Sequence, residues 1–128
     1  MALRVLVIDD DAGIRDVLRM TLTYDGYQIV GAATGHDGLA LADRDPPDLV
    51  LLDVEMPGMG GLDVLSRLHA AHEKLPVVMM SAHGSTVVAA AARAAGAVDF
   101  LEKPFESTDR LRTTIHDAIE HAALASES

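Results

Sequence analysis

Apolar and polar positions follow two alternating rhythms along this chain. Leu3-Arg4-Val5-Leu6-Val7-Ile8 is a near-continuous hydrophobic run, the pattern of a strand buried on both faces. Ile14, Val17, Leu18, Thr21 and Leu22 then recur at helical spacing on one face. Asp11 is placed to cap that helix and Asp25-Gly26 to end it. The exchange repeats as a strand over 28–33, a helix over 35–44, and a strand over 48–52 after the Pro46-Pro47 break. A glycine-rich loop over 53–61 leads to Leu62, Leu65 and Leu68, a third helix that ends before Pro76. A strand over 77–80, an alanine-rich helix over 85–95 closed by Gly96, and a strand over 98–102 come next. Leu111, Ile115, Ala118 and Ile119 define the last helix. Residues 125–128 read as a frayed tail or the start of a linker, which leaves 1–124 as one domain. Strands alternating with helices in this way predict an α/β fold: a five-stranded parallel sheet with five helices spread over both faces and right-handed crossovers.

Composition narrows the function classes. A chain of 128 residues is long enough to bury its own core. Ten Lys and Arg against twenty Asp and Glu give a formal charge of −10. That balance disfavours binding to nucleic acid or to an anionic membrane, both of which need clustered positive charge. The absence of cysteine excludes a disulfide scaffold, a thiolate zinc site and a cysteine nucleophile. No apolar run approaches the ~20 residues of a membrane span. The N-terminus leads straight into the first strand with no signal-peptide pattern, so the expected location is the cytoplasm.

The candidate chemistry lies at the strand ends, because open parallel sheets bind ligands outside the carboxyl ends of their strands. Asp9, Asp10 and Asp11 follow the first strand, Asp53 the third, Ser81 the fourth and Lys103 the fifth. Asp-Asp-Asp alone is equally well a helix cap with solvated neighbours, but the combination puts carboxylates, a hydroxyl and an ammonium on one rim. Two carboxylates ~4 Å apart repel by about 4 kcal/mol at an effective dielectric of 20, so Asp9, Asp10 and Asp53 need counter-charge. Lys103 supplies one positive charge; a hard divalent cation such as magnesium, which takes few carboxylates and keeps waters, supplies the rest. Such a site attracts a phosphoryl group, and Asp53 is its natural nucleophile, since carboxylates form aspartyl phosphates.

Four stretches carry a resemblance: Val7-Ile8-Asp9-Asp10-Asp11, Leu51-Leu52-Asp53-Val54-Glu55-Met56-Pro57-Gly58, Met80-Ser81-Ala82-His83 and Glu102-Lys103-Pro104-Phe105. Together and in this order they resemble the signature stretches of two-component response-regulator receiver domains, over nearly the whole chain. The resemblance implies the flavodoxin-like strand order 2-1-3-4-5. It implies that Asp53 takes a phosphoryl group from the phosphohistidine of a sensor histidine kinase or phosphotransfer protein. It further implies that Asp9, Asp10, Asp53 and the main-chain carbonyl of Glu55 bind Mg2+, and that Ser81 and Lys103 contact the phosphoryl oxygens. Lys103-Pro104 is expected as a cis peptide. Ser81 and Phe100 match the switch pair, with Phe100 turning from a more exposed rotamer to a buried one, against the plainer reading of an ordinary core aromatic. Glu55 and His83 occupy positions that tune dephosphorylation in relatives, or are solvated loop residues. Output is expected through the face formed by 85–124, toward an output domain, a partner protein or a second copy in a homodimer. The domain is then a phosphoacceptor that catalyses only its own phosphorylation and dephosphorylation. Ser81-Ala82-His83-Gly84 and Asp99-Phe100-Leu101-Glu102-Lys103-Pro104-Phe105 look most like receivers of the nitrogen-regulation type.

Two departures and three rivals complete the picture. Met59-Gly60-Gly61 stands where many relatives carry an acidic residue before the second Gly, which predicts a looser loop. Ser81 replaces the commoner Thr and is less constrained for want of a methyl group. An aspartyl-phosphate phosphatase would want a second Asp at Glu55 and a larger chain. A flavodoxin-like carrier would need a Ser- and Thr-rich phosphate loop where three aspartates stand. A degenerate receiver would lack part of the set Asp9, Asp10, Asp53, Ser81 and Lys103. His69 and His72 have helical spacing but no third zinc ligand nearby in sequence, and His116 and His121 are poorly aligned.

Overall fold

The computed structural model describes residues 2–82, 86–103, 105 and 108–127, the last two as backbone only. Its elements run β1 (Arg4–Ile8), α1 (Ala12–Tyr24), β2 (Gln28–Ala32), α2 (Gly35–Arg44), β3 (Leu49–Asp53), α3 (Gly61–Ala71), β4 (Val77–Ser81), α4 (Thr86–Ala94), β5 (Asp99–Glu102) and α5 (Thr108–Glu127). All neighbouring strands are parallel, in the order β2-β1-β3-β4-β5. The expected α/β architecture and strand order are therefore both present.

Two apolar layers explain why the strands are hydrophobic throughout. Leu6, Ile8, Val50, Leu52, Val77, Met79 and Phe100 point to one face, where they meet Ala42 of α2, Val64, Leu65 and Leu68 of α3, and Ala92 of α4. Their neighbours Val5, Val7, Leu49, Leu51, Val78, Met80 and Leu101 point to the other, against Leu18 and Leu22 of α1 and Leu111, Ile115 and Ala118 of α5. Period-two alternation thus serves two cores at once, and no strand position in β3 or β4 is left to water.

Helix ends follow local chemistry. Asp11 caps α1 by accepting the N–H groups of Gly13 and Ile14 at 2.8 and 3.3 Å, and Thr34 caps α2 through the N–H of Asp37 at 3.1 Å. Gly60 caps α3 without any side-chain bond, the cost of having no acidic residue there. α5 runs through Glu127, and His121 to Ala125 holds strong helix formers with no Gly or Pro stop. Among the described residues no helix is long and apolar enough to cross a membrane.

Adjacent glycines at the start of α3 have opposite requirements. A Cβ on Gly61 would stand far inside van der Waals contact with the Asp53 carbonyl oxygen and 2.7 Å from Val54 Cα, both backbone atoms that cannot step aside. Gly60 has open space and an extended backbone that any residue adopts. Gly61→Ala is expected to cost about 2 kcal/mol or more, whereas Gly60→Ser, which adds a capping hydroxyl, should gain about 0.5 kcal/mol. Urea unfolding of the two variants measures both; equal effects would contradict this packing of the loop.

Candidate functional site

The site is built at a reversal in chain direction across the sheet. From β1 the chain first adds β2 on one side and then β3 on the other, so the carboxyl ends of β1 and β3 flank a crevice. Main-chain bonds extend the ladder past the strands and hold their ends together. Asp9 N–H donates to Ala32 O at 3.1 Å, Val54 N–H to Met80 O at 2.9 Å, and Lys103 N–H to Ser81 O at 2.8 Å. Asp9, Asp53, Ser81 and Lys103 are thereby placed on one rim by backbone geometry, before any side-chain interaction is counted.

Asp9 is fully buried and Asp53 only 2% exposed, and both bond to one ammonium. Lys103 Nζ donates to Asp9 Oδ2 at 3.0 Å and to Asp53 Oδ1 at 3.3 Å. Asp9 Oδ1 takes the N–H of Asp11 at 2.9 Å, and Asp53 Oδ1 takes the N–H of Glu55 at 3.2 Å. Both bonds to Asp53 fall on Oδ1, so Oδ2 has no hydrogen bond among the described residues. Asp10 is exposed, and one carboxylate oxygen from each of Asp9, Asp10 and Asp53 lies within 4.8 Å of the others. Asp11 stands apart, committed to capping α1.

Three carboxylates against one ammonium leave the corner negative, and the titration of Asp53 reflects this. Burial chiefly, and then the charge of Asp9, push its carboxyl up to about 6, against the partial relief given by Lys103 and the Glu55 N–H. Burial pulls Lys103 down, but the bonds and charges of Asp9 and Asp53 more than offset it and hold the ammonium above its usual range. A hard cation with oxygen ligands is the species that this donor set fits.

Ser81 is buried, and its hydroxyl donates to Glu55 Oε1; Glu55 Oε2 takes the Ala82 N–H at 3.4 Å. Phe100 is buried at 8% exposure. Small side chains on its face of the sheet, Ala89, Ala92 and Ala97, leave room for the ring there. His83 and Pro104, and with them the tuning role of His83 and the cis peptide, lie outside the described residues. His72, the residue that ends α3, has its Nε2 2.8 Å from Asp43 Oδ1, and among the described residues no three-ligand metal group includes His69 or His72. On α5, His116 pairs with Glu120 at 3.1 Å on an exposed surface, apart from His121.

One residue near the site escaped the sequence reading. Arg15 of α1 donates from Nη1 to the main-chain carbonyl of Asp9 at 2.7 Å, reaching across Gly31 of β2. A Cβ on Gly31 would stand 3.3 Å from Arg15 Cδ, so the bare strand position makes the path. The signal was a glycine in a strand, which marks a close approach.

The family described as the response regulator receiver domain matches residues 5–116. The transcriptional regulatory protein GlrR of Escherichia coli is 37% identical over 96% of this chain, which spans 28% of that protein. The response regulator MprA of Mycobacterium tuberculosis is 36% identical over 97% of the chain, which spans 57% of it. The chain thus spans between about a quarter and somewhat over half of these curated relatives. Among solved structures, the receiver domain of NtrX from Brucella abortus superimposes with a TM-score of 0.86 at 38% identity, covering 91% of this chain and 98% of that one.

The raised carboxyl of Asp53 has a consequence for folding. A carboxyl that holds its proton more tightly when folded contributes stability below about pH 4 and loses it as pH rises through about 6. Above that range the ionised Asp53 costs folding on the order of 3 kcal/mol. In metal-free buffer, Asp53→Asn should therefore be more stable than the parent at pH 7, with the advantage fading toward pH 4. Thermal melts across that range check it; an advantage independent of pH would contradict the assigned electrostatics.

Proposed function

This chain belongs to the response regulator receiver domain family, and on that premise we propose that Asp53 is its phosphoacceptor, charged from the phosphohistidine of a sensor histidine kinase or phosphotransfer protein. The observation that carries this reading is a buried aspartate at the end of β3, bonded to Lys103 and flanked by Asp9 at the reversal point of the sheet. Receiver domains belong to two-component systems, and neither a phosphatase nor a flavin carrier is favoured by the match.

The chemistry follows from the residues in place. Asp53 Oδ2 attacks phosphorus, its bond to phosphorus forms as the P–N bond breaks, and the electron pair leaves with the imidazole nitrogen. Only the ionised carboxyl is a nucleophile, and at pH 7 a group titrating at about 6 is mostly ionised. Lys103 Nζ, held by Asp9 and Asp53, meets the oxygens of the incoming group with a fixed ammonium and no reorganisation. The Ser81 hydroxyl stands on the neighbouring strand as a further donor. Asp9, Asp10, Asp53 and the main-chain carbonyl of Glu55 would hold Mg2+, which when bound neutralises charge on the carboxylates and on the transferring group. Their all-oxygen chemistry, mutual spacing and excess negative charge suit that ion, and the exposure of Asp10 suits one that keeps part of its water shell.

Output is assigned to the face made by α4, β5 and α5. A groove of about 410 Å³ lies there, lined among others by Ala89, Arg93, Phe100, Phe105 and Arg110, within the stretch 85–124. An output domain, a partner protein or a second copy would read phosphorylation through it as a shift between two states already in equilibrium. We place the domain in the cytoplasm, where kinase and phosphodonor are found, with no role for direct nucleic-acid or membrane contact by this acidic segment.

Incubation with magnesium and a small acyl-phosphate donor should add one phosphoryl group by intact mass. Asp53→Asn should take up none while keeping its fold. Persistent single phosphorylation of that variant would overturn the assignment. Melting temperature supplies an independent readout of the ion: it should rise with magnesium in the parent and rise less in Asp10→Asn. A melting temperature indifferent to magnesium would count against the acidic corner as its site.

A further inference from the structure

Glu55 lies on the exposed rim, yet its carboxylate is folded back onto the neighbouring strand. Its Oε1 accepts the Ser81 hydroxyl and its Oε2 accepts the Ala82 N–H at 3.4 Å. Both donors stand at the carboxyl end of β4, beside β3, where Asp53 is in register with Met80, the residue before Ser81. Besides the Glu55 N–H already bonded to Asp53 Oδ1, the described rim offers an anion formed on Asp53 the Lys103 ammonium, the Ser81 hydroxyl and the Ala82 amide. Lys103 is already shared between Asp9 and Asp53, and the other two are taken by Glu55. A carboxylate whose two oxygens span a hydroxyl and an amide makes the same kind of contacts that two phosphoryl oxygens would make.

We propose that the Glu55 carboxylate is an internal competitor for the phosphoryl group, occupying the Ser81 hydroxyl and the Ala82 amide while Asp53 is unmodified. The inference rests on the receiver reading above and specifies how that site is regulated. Phosphorylation has to displace Glu55 from both donors and push it away from a third negative centre. Because Glu55 is exposed, its carboxylate returns to water when displaced, so the device sets a threshold and does not block the site. The main-chain carbonyl and N–H of Glu55 are untouched by this exchange, which separates its side-chain role from its backbone role.

Beryllium trifluoride with magnesium, a tetrahedral phosphoryl mimic that binds aspartate carboxylate, tests the idea on the full chain. Binding is read from amide NMR shifts, since the chain has no tryptophan to report it. Glu55→Ala should bind the mimic about tenfold more tightly than the parent, the size expected for releasing hydrogen bonds to a charged acceptor. Glu55→Gln, which keeps an acceptor without the charge and preserves side-chain volume, should fall between them. In a Ser81→Ala background the gain from Glu55→Ala should shrink to about twofold. No gain in either Glu55 variant overturns the proposal, and so does an equal gain in both backgrounds, which would make Glu55 a source of repulsion only. Failure of the parent chain to bind the mimic, or binding that survives Asp53→Asn, would instead overturn the receiver site itself, and with it this inference.

Discussion

Two buried carboxylates share one ammonium at the carboxyl edge of the sheet, and a third carboxylate stands within reach of both. The pairing favours the Lys103 ammonium, but that gain does not extend to the Asp53 carboxylate. Burial and the proximity of Asp9 work against ionised Asp53, and Lys103 offsets only part of the cost. The rest of the molecule is best understood as what makes this corner tolerable. A sheet with apolar layers on both faces supplies stability that the corner consumes, and the parallel ladder holds the strand ends where relaxation apart would break main-chain bonds. The frustration is also the source of reactivity. A carboxylate whose Oδ2 has no hydrogen bond among the described residues stands to gain from a cation, and on the proposed reading from transfer to phosphorus.

Details around the corner follow from the same constraint. Gly61 lets α3 begin against the Asp53 carbonyl, so the helix closes the loop tightly enough to bring Glu55 back over β4. Arg15 anchors the carbonyl of Asp9 from the far side without neutralising its carboxylate, which is spent on Lys103 and the Asp11 amide. Positive charge is thus kept on backbone and on one ammonium, and the acidic corner stays open to a cation. Phe100, buried beneath α4 among alanines, links β5 to the helix that forms one wall of the groove.

Much of this was legible in the linear pattern, and the exceptions have physical causes. Uninterrupted apolar runs such as Val5 to Ile8 and Leu49 to Leu52 signalled strands covered on both faces, and the polar residues that end them fell on one rim because parallel strands share a direction. What the pattern could not hold was anything decided by side-chain direction across elements. The pairing of Glu55 with Ser81 spans 26 positions and depends on how a loop folds over a neighbouring strand. The reach of Arg15 depends on a bare position in β2, and the buried ring of Phe100 on the small residues of α4.

Asp53 is held in an unfavourable ionised state that the proposed cation would relieve. Direct titration of side-chain carboxyl carbons by NMR tests it in the intact chain. Without divalent ions the Asp53 carboxyl should titrate near pH 6, well apart from the ordinary carboxylates, and saturating magnesium should move it down into or below their range. An Asp53 carboxyl that titrates near 4 under both conditions would contradict the account.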